Sequence, residues 1–176
     1  MTHMGVEVSL ARPDERAELW DLYQRTFLDA YVNDKAGITR EMLLEFLATD
    51  TVYFPKNWQP YLEHPSKKRT VYVARHDGKI VGMVAPVLVE GRHRITGLYV
   101  APAAQHMGIG TELMRKALAH HGNVDVYIGI ASHVKGLEKF YKPFGFKVAE
   151  PGKLRRYPPD PISYIDMIRP AAKSAE

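Results

Sequence analysis

The run Leu98-Tyr99-Val100-Ala101-Pro102-Ala103-Ala104-Gln105-His106-Met107-Gly108-Ile109-Gly110 leads straight into an amphipathic stretch, and its residue types suit the holding of an anion. A strand ends, a tight loop follows, and two glycines two residues apart let the main chain come close to a negatively charged group. The first N–H groups of a helix find no acceptor inside it and stand at the positive end of its dipole, so the junction is a phosphate site in outline. The same glycine pair also serves a turn that needs positive φ and close packing, and spacing alone leaves both uses open. Two familiar phosphate motifs are excluded. No third glycine completes a dinucleotide fingerprint, and Gly110 is followed by Thr111-Glu112 instead of the lysine and hydroxyl of a P-loop.

A second cluster lies further along, Phe140-Tyr141-Lys142-Pro143-Phe144-Gly145-Phe146, in which a tyrosine on a helix precedes Gly-Phe at the next strand. Gln105-x-x-Gly108-x-Gly110 followed by this cluster resembles the GNAT superfamily of N-acetyltransferases, over roughly residues 70 to 170. The resemblance implies an acetyl-CoA-dependent N-acetyltransferase that moves an acetyl group to a primary amine of a small molecule or peptide by direct attack. It assigns the pyrophosphate of acetyl-CoA to main-chain amides of Gln105, His106, Met107, Gly108, Ile109, Gly110 and Thr111. The pantetheine arm falls to main-chain groups of the strand Leu98, Tyr99 and Val100, paired as an added pseudo-strand. Tyr141 takes the place of the general acid that protonates the leaving thiolate. Arg115, Lys116 and Lys142 are open to two readings, as contacts to the nucleotide end of the cofactor or as solvated helix charges.

The resemblance is incomplete at the base. Many relatives carry a glutamate on the strand before the glycine loop, whereas Arg92 to Leu98 contains no acid and Glu90 lies only at its beginning. His93 and His133 are candidates by chemistry, and a chain of waters is the alternative. Val134 stands where the family often has an asparagine. These departures keep open a non-catalytic acyl-CoA sensor or regulatory domain, and a protein-interaction module that lost the cofactor. For the amine acceptor, Asp29, Asp34, Glu63 and Asp160 are acids that would attract a cation, and Tyr31, Tyr53, Phe54, Trp58 and Tyr61 are candidate pocket walls or a satellite core.

The elements that must position these residues follow from periodicity. Glu7 to Arg12 reads as a strand, Pro13-Asp14-Glu15 opens a helix carrying Leu19, Tyr23, Phe27 and Tyr31, and Thr39 caps a second with Leu43, Phe46 and Leu47. Residues 49–69 show no steady period. Thr70 to Arg75, Lys79 to Val89 and His93 to Val100 form an antiparallel meander, with Asp77-Gly78 as the first turn. Beyond the glycine loop, Ile109, Leu113, Met114, Ala117 and Leu118 share one face of a helix that stops at Gly122. Asn123 to Ile130 is a buried strand, and Val134, Leu137, Phe140 and Tyr141 share a helix face. Phe146 to Ala149 and Ser163 to Arg169 close the sheet around a proline-rich loop from Pro151 to Pro161. The expected fold is a mixed α/β (α+β) domain of the GNAT type, spanning residues 1–176, with a mostly antiparallel sheet of about six to seven strands flanked by helices. The resemblance adds that the sheet is splayed at the acyl-CoA site, with residues 1–69 on the acceptor side and 70–170 forming the cofactor core.

The bulk composition limits the partners. The 45% hydrophobic and 25% charged fractions are those of an ordinary globular chain, and no apolar run is long enough to cross a membrane. The start Met1-Thr2-His3-Met4-Gly5-Val6 lacks a secretory core, which makes the cytoplasm the expected location. Zero cysteines remove disulfides, thiolate metal sites and an acyl-cysteine route, and no metal centre is expected. The net charge of +4 comes from short scattered clusters without interleaved stacking aromatics, so a polyphosphate cofactor is expected in place of nucleic acid. A homodimer through the closing strands is compatible with the resemblance.

Overall fold

Residues 5–49 and 58–173 are described by the computed structural model, and an eight-stranded sheet carries them. The strands are β1 (Val6–Leu10), β2 (Tyr72–His76), β3 (Lys79–Val89), β4 (Arg92–Val100), β5 (Val126–Ala131), β6 (Lys147–Val148), β7 (Arg155–Arg156) and β8 (Ser163–Arg169). They run in the order β1-β2-β3-β4-β5-β8-β6, with β7 beside β8, and every pair is antiparallel except β4 with β5. The expected count of six to seven is therefore corrected to eight. The extra strand, β7, is two residues inside the proline-rich loop, too short to show alternation in sequence. Likewise β5 starts later than its apolar run, because Asn123 uses its side-chain amide on the main chain of Ala172.

Helices cover both faces, which is why β3 is buried almost throughout its length instead of alternating. On one face lie α1 (Arg16–Tyr31) and α2 (Arg40–Thr49), whose Leu19, Leu22, Phe27, Leu43 and Leu47 pack with Val73, Met83 and Ala85. On the other lies α4 (Ile109–His121), whose Ile109, Leu113, Met114 and Ala117 pack with Ala74, Val84, Ile95, Val126 and Ile128. The irregular stretch expected from 49 to 69 contains a short helix, α3 (Gln59–Glu63); Tyr53 and Phe54 lie outside the described residues. The last helix, α5 (Leu137–Tyr141), is shorter than its apolar spacing predicts, since Val134 sits in the preceding turn with its N–H bonded to the Ala131 carbonyl. Among the described residues no helix is long and apolar enough to cross a membrane, and no cluster of three or more acidic, histidine or cysteine side chains is arranged to hold a metal.

The acids Asp14 and Glu15 suit the start of α1, but Glu15 does more than complement a dipole. It is buried and takes a two-pronged grip from Arg75 of β2, at 2.8 Å from Nε and 2.6 Å from Nη2, while the Arg12 N–H donates to it at 2.7 Å. Burial raises the Glu15 pKa, and the Arg75 fork with the Arg12 amide outweighs that, leaving it below the ordinary value. The pair fixes where α1 lies over the sheet.

A local irregularity opens the sheet. Met83 pairs with Tyr99 and Ala85 with Thr96, so Val84 of β3 stands opposite two residues of β4, Gly97 and Leu98. Gly97 has φ +60, and a bulge of this kind bends its strand and increases local twist. β4 and β5 pair only at His93 with Val126 and Arg94 with Tyr127, after which the two parallel strands separate. At the separation point, His121 at the end of α4 donates from Nε2 to the Arg94 carbonyl at 2.9 Å and accepts the His93 Nδ1–H at 3.0 Å.

Burial holds the His121 pKa at about 4, aided by the neighbouring imidazoles of His93 and His120 and opposed by the Arg94 carbonyl. A folded-state pKa below the unfolded 6.5 means that the unfolded chain binds the proton first, so stability is lost as pH falls from about 6.5 toward 4. His121→Gln keeps a donor for Arg94 but cannot titrate. The stability gap between wild type and variant, from urea melts, is expected to close by up to about 3 kcal/mol across that pH window; a gap independent of pH would refute this role.

Candidate active site

The glycine loop ends in an N-cap, Gly108, with φ +77, a left-handed conformation that side chains resist. Among the described residues, the main-chain N–H groups from His106 to Thr111 donate to no protein acceptor, whereas that of Glu112 already bonds the Gly108 carbonyl. Six consecutive donors at the start of a thirteen-residue helix are thus left for an acceptor outside the protein, at the end of the helix that favours an anion. Gln105 differs from the others. Its N–H goes to the Pro102 carbonyl at 3.3 Å and its side-chain amide to the Val100 carbonyl at 3.1 Å, so it braces the loop against the end of β4. The Ile109 side chain is core, leaving only its N–H to this run of donors. Gly110 has a packing reason as well, because a Cβ there would stand 3.3 Å from the ring of Phe140.

Beyond the bulge, the gap between β4 and β5 opens into a cavity of about 400 Å³. Gly97, Leu98 and Tyr99 of β4, Ile128 and Gly129 of β5 and Tyr141 from the end of α5 all line it. Tyr141 is half-buried between Phe140 and Phe146, whose rings meet its own edge-on at 5.0 and 6.0 Å. Burial pushes its phenol well above the ordinary value, with the nearby Tyr31 adding to the effect. The proton therefore stays on the oxygen throughout the physiological range. Leu98, Tyr99 and Tyr141 thus share one opening, while Val100 and the glycine loop continue from the end of β4 outside its lining.

The wall on the α1 side is aromatic and acidic. Tyr23, Phe27, Tyr31, Phe46 and Trp58 line it, and the Tyr31 and Tyr99 hydroxyls share a hydrogen bond. Of the four acids singled out from sequence, only Asp160 faces the cavity; Asp29 and Asp34 are exposed elsewhere and Glu63 is bonded to Gln59. Asp160 accepts from the Tyr164 hydroxyl at 2.7 Å and from the Ile162 N–H at 2.8 Å. Tyr61 stands apart, engaged by Arg69 at 2.6 Å.

The histidines are removed as bases by geometry. His133 donates from Nε2 to the Tyr31 carbonyl at 2.9 Å, and His93 points to the α4 face toward His121. Glu90 lies at the outer rim of the cavity, in the β3–β4 turn. Arg115 is paired with Glu112 and Lys142 with Glu138, and Lys116 lies 5.3 Å from the Tyr72 ring, so each has a neighbour on the protein surface. Residues missed in the sequence also line the cavity: Arg94, Arg155, Tyr157 and Tyr164. The available signal was β8, where Tyr164 and Asp166 alternate with Ile165 and Met167 and place polar groups on one face.

Comparison with known proteins gives the family and the fold. The sequence model of the Acetyltransferase (GNAT) family matches residues 16–146. An uncharacterized N-acetyltransferase of Mycobacterium tuberculosis is 34% identical over 94 residues, which is 50% of this chain and 58% of that protein; the match thus spans little more than half the length of this relative. Its Mycobacterium bovis counterpart gives the same figures. Among solved structures, the PaiA N-acetyltransferase from Thermoplasma acidophilum in complex with coenzyme A is similar with a TM-score of 0.71 and 17% identity, covering 93% of this chain and 98% of that one. YncA from Salmonella typhimurium with its cofactor acetyl-CoA gives 0.65 and 18%, covering 98% and 97%. At such identities the two structures speak for the fold alone.

Proposed function

Since the chain belongs to the GNAT acetyltransferase family, we propose that it is an acetyl-CoA-dependent N-acetyltransferase acting on a primary amine of a small molecule or peptide. The observation that carries this reading is a splayed pair of strands and a protonated phenol on one cavity, with an unpaired run of N–H donors in the loop that leads from β4 into α4. His106 to Thr111 hold the pyrophosphate, main-chain groups of Leu98 to Val100 pair with the pantetheine arm, and the thioester lies beside Tyr141. The amine nitrogen bonds to the thioester carbonyl carbon, the C–S bond breaks, and the Tyr141 hydroxyl gives its proton to the departing sulfur. The proton lost by the amine leaves through water on the Asp160 side, where tyrosine faces and a carboxylate favour a cation. This reading places the enzyme in the cytoplasm, with acetyl-CoA as acyl donor.

A panel of amines assayed for CoA release tests it, beside calorimetry of CoA binding. CoA binding together with release in the presence of some amines is the expected result. Binding without release for every amine favours the sensor reading, which the missing strand acid and Val134 support. No binding overturns both.

A further inference from the structure

The cavity is chemically polarised along β8. At one end Tyr164 holds Asp160 beside the aromatic wall; at the other Asp166 accepts Arg94 Nη2 at 3.0 Å and Arg155 Nε at 2.5 Å. One carboxylate between two guanidinium groups leaves a positive surplus. Arg94 lines the cavity with its side chain 15% exposed, and of its five N–H donors only one has a protein acceptor among the described residues. Donors that face a cavity without a protein acceptor are open to a ligand, and a guanidinium fork matches a carboxylate in shape. Gly129 forms the floor here; a Cβ at that position would lie 3.7 Å from both Arg94 Nη2 and Asp166 Oδ1. The surrounding charges do not cancel the surplus at the floor. Arg92 lies over the Tyr127 ring at the rim, Glu90 sits in the exposed turn, and Glu150 is engaged by Lys153 at 2.7 Å.

We propose that Arg94, supported by Arg155 and Asp166, forms a subsite for a carboxylate of the acceptor, so that the amine substrate is an amino acid or a comparably zwitterionic molecule. This rests on the acetyl-transfer reading and narrows its acceptor. The amine end lies toward Asp160 and Tyr141, and the anion toward Arg94. Tyr164 and Asp166 are two residues apart on β8, so the two ends are separated by about 7 Å along the strand. A diamine fits poorly, because its second ammonium would face the guanidinium pair.

The test compares three acceptors of equal length with acetyl-CoA: δ-aminovalerate, its primary amide, and cadaverine. The acid is expected to exceed both others by about tenfold or more in kcat/KM, through KM. Arg94→Gln and, separately, Arg155→Gln should erase this discrimination, and Arg94→Lys should restore part of it. In either glutamine variant Asp166 keeps one arginine, so the fold has a partner for its buried acid. Equal use of the three acceptors, a preference for cadaverine, or a parallel loss for all three in Arg94→Gln overturns the subsite. A second readout does not depend on transfer. With CoA present, δ-aminovalerate should raise the melting temperature of wild type and not that of Arg94→Gln, whereas its amide should raise neither. That shift without any CoA release would sink the acetyl-transfer reading and keep the subsite; release without the shift or the preference would do the reverse.

Discussion

Tyr141→Phe is expected to lower kcat by about a hundredfold or more while leaving the affinity for CoA within about twofold of wild type, the span typical for loss of a proton donor. The substitution removes one oxygen and keeps the ring that Phe140 and Phe146 pack against edge-on, so neither α5 nor the cavity wall has reason to move. Among the described residues the Tyr141 hydroxyl has no protein hydrogen-bond partner, although the Tyr31, Tyr99 and Tyr164 hydroxyls nearby all have one. Its loss therefore leaves no buried group unsatisfied, and a fall in rate is chemical and not structural. The pH profile carries a second signature. Because burial raises this phenol above its ordinary range, deprotonation of Tyr141 contributes no alkaline decline near neutrality, and deprotonation of the attacking amine gives a limb that rises with pH. Single-turnover CoA release across pH, for wild type and variant, measures both effects. An unchanged rate removes Tyr141 from the mechanism.

How far the sequence reaches depends on the distance over which each feature is encoded. The glycine loop and the Tyr141 cluster are each written within about a dozen residues, and the helix or strand that carries them is set by local periodicity. Both were legible. The opening of the sheet was not legible from residues, since it arises from a mismatch of register between β3 and β4 and from the short pairing of β4 with β5. Only the family resemblance anticipated it. The far wall of the cavity is less visible still. Arg94, Arg155, Tyr164 and Asp166 come from β4, β7 and β8, and each alone reads as an ordinary strand or surface residue, while Asp160 stood out only as one acid among four. Glu15 shows the same limit, because its partner Arg75 is sixty residues away. His93 and His133 looked like candidate bases by type, and their actual partners, His121 and the Tyr31 carbonyl, are also long-range.

The proposed phosphate site makes a second prediction, separable from chemistry at Tyr141. Gly108→Val should weaken CoA binding by about thirtyfold or more by calorimetry, because a β-branched residue at φ +77 is strained by roughly 1–3 kcal/mol and relaxes by turning the loop. Turning one peptide unit redirects the N–H groups on either side of it and breaks the run of six free donors from His106 to Thr111. Gly110 is a poorer probe of the same idea, since a side chain there first meets the Phe140 ring and disturbs α5. The informative control is Gly37→Val, in the turn after α1, where φ +76 and ψ 15 match the left-handed conformation of Gly108 and nothing lies within 4 Å of the added Cβ. The two variants carry comparable backbone strain and should lose comparable melting temperature. If strain alone governed affinity, both would bind CoA equally badly; if the free donors govern it, only Gly108→Val loses binding.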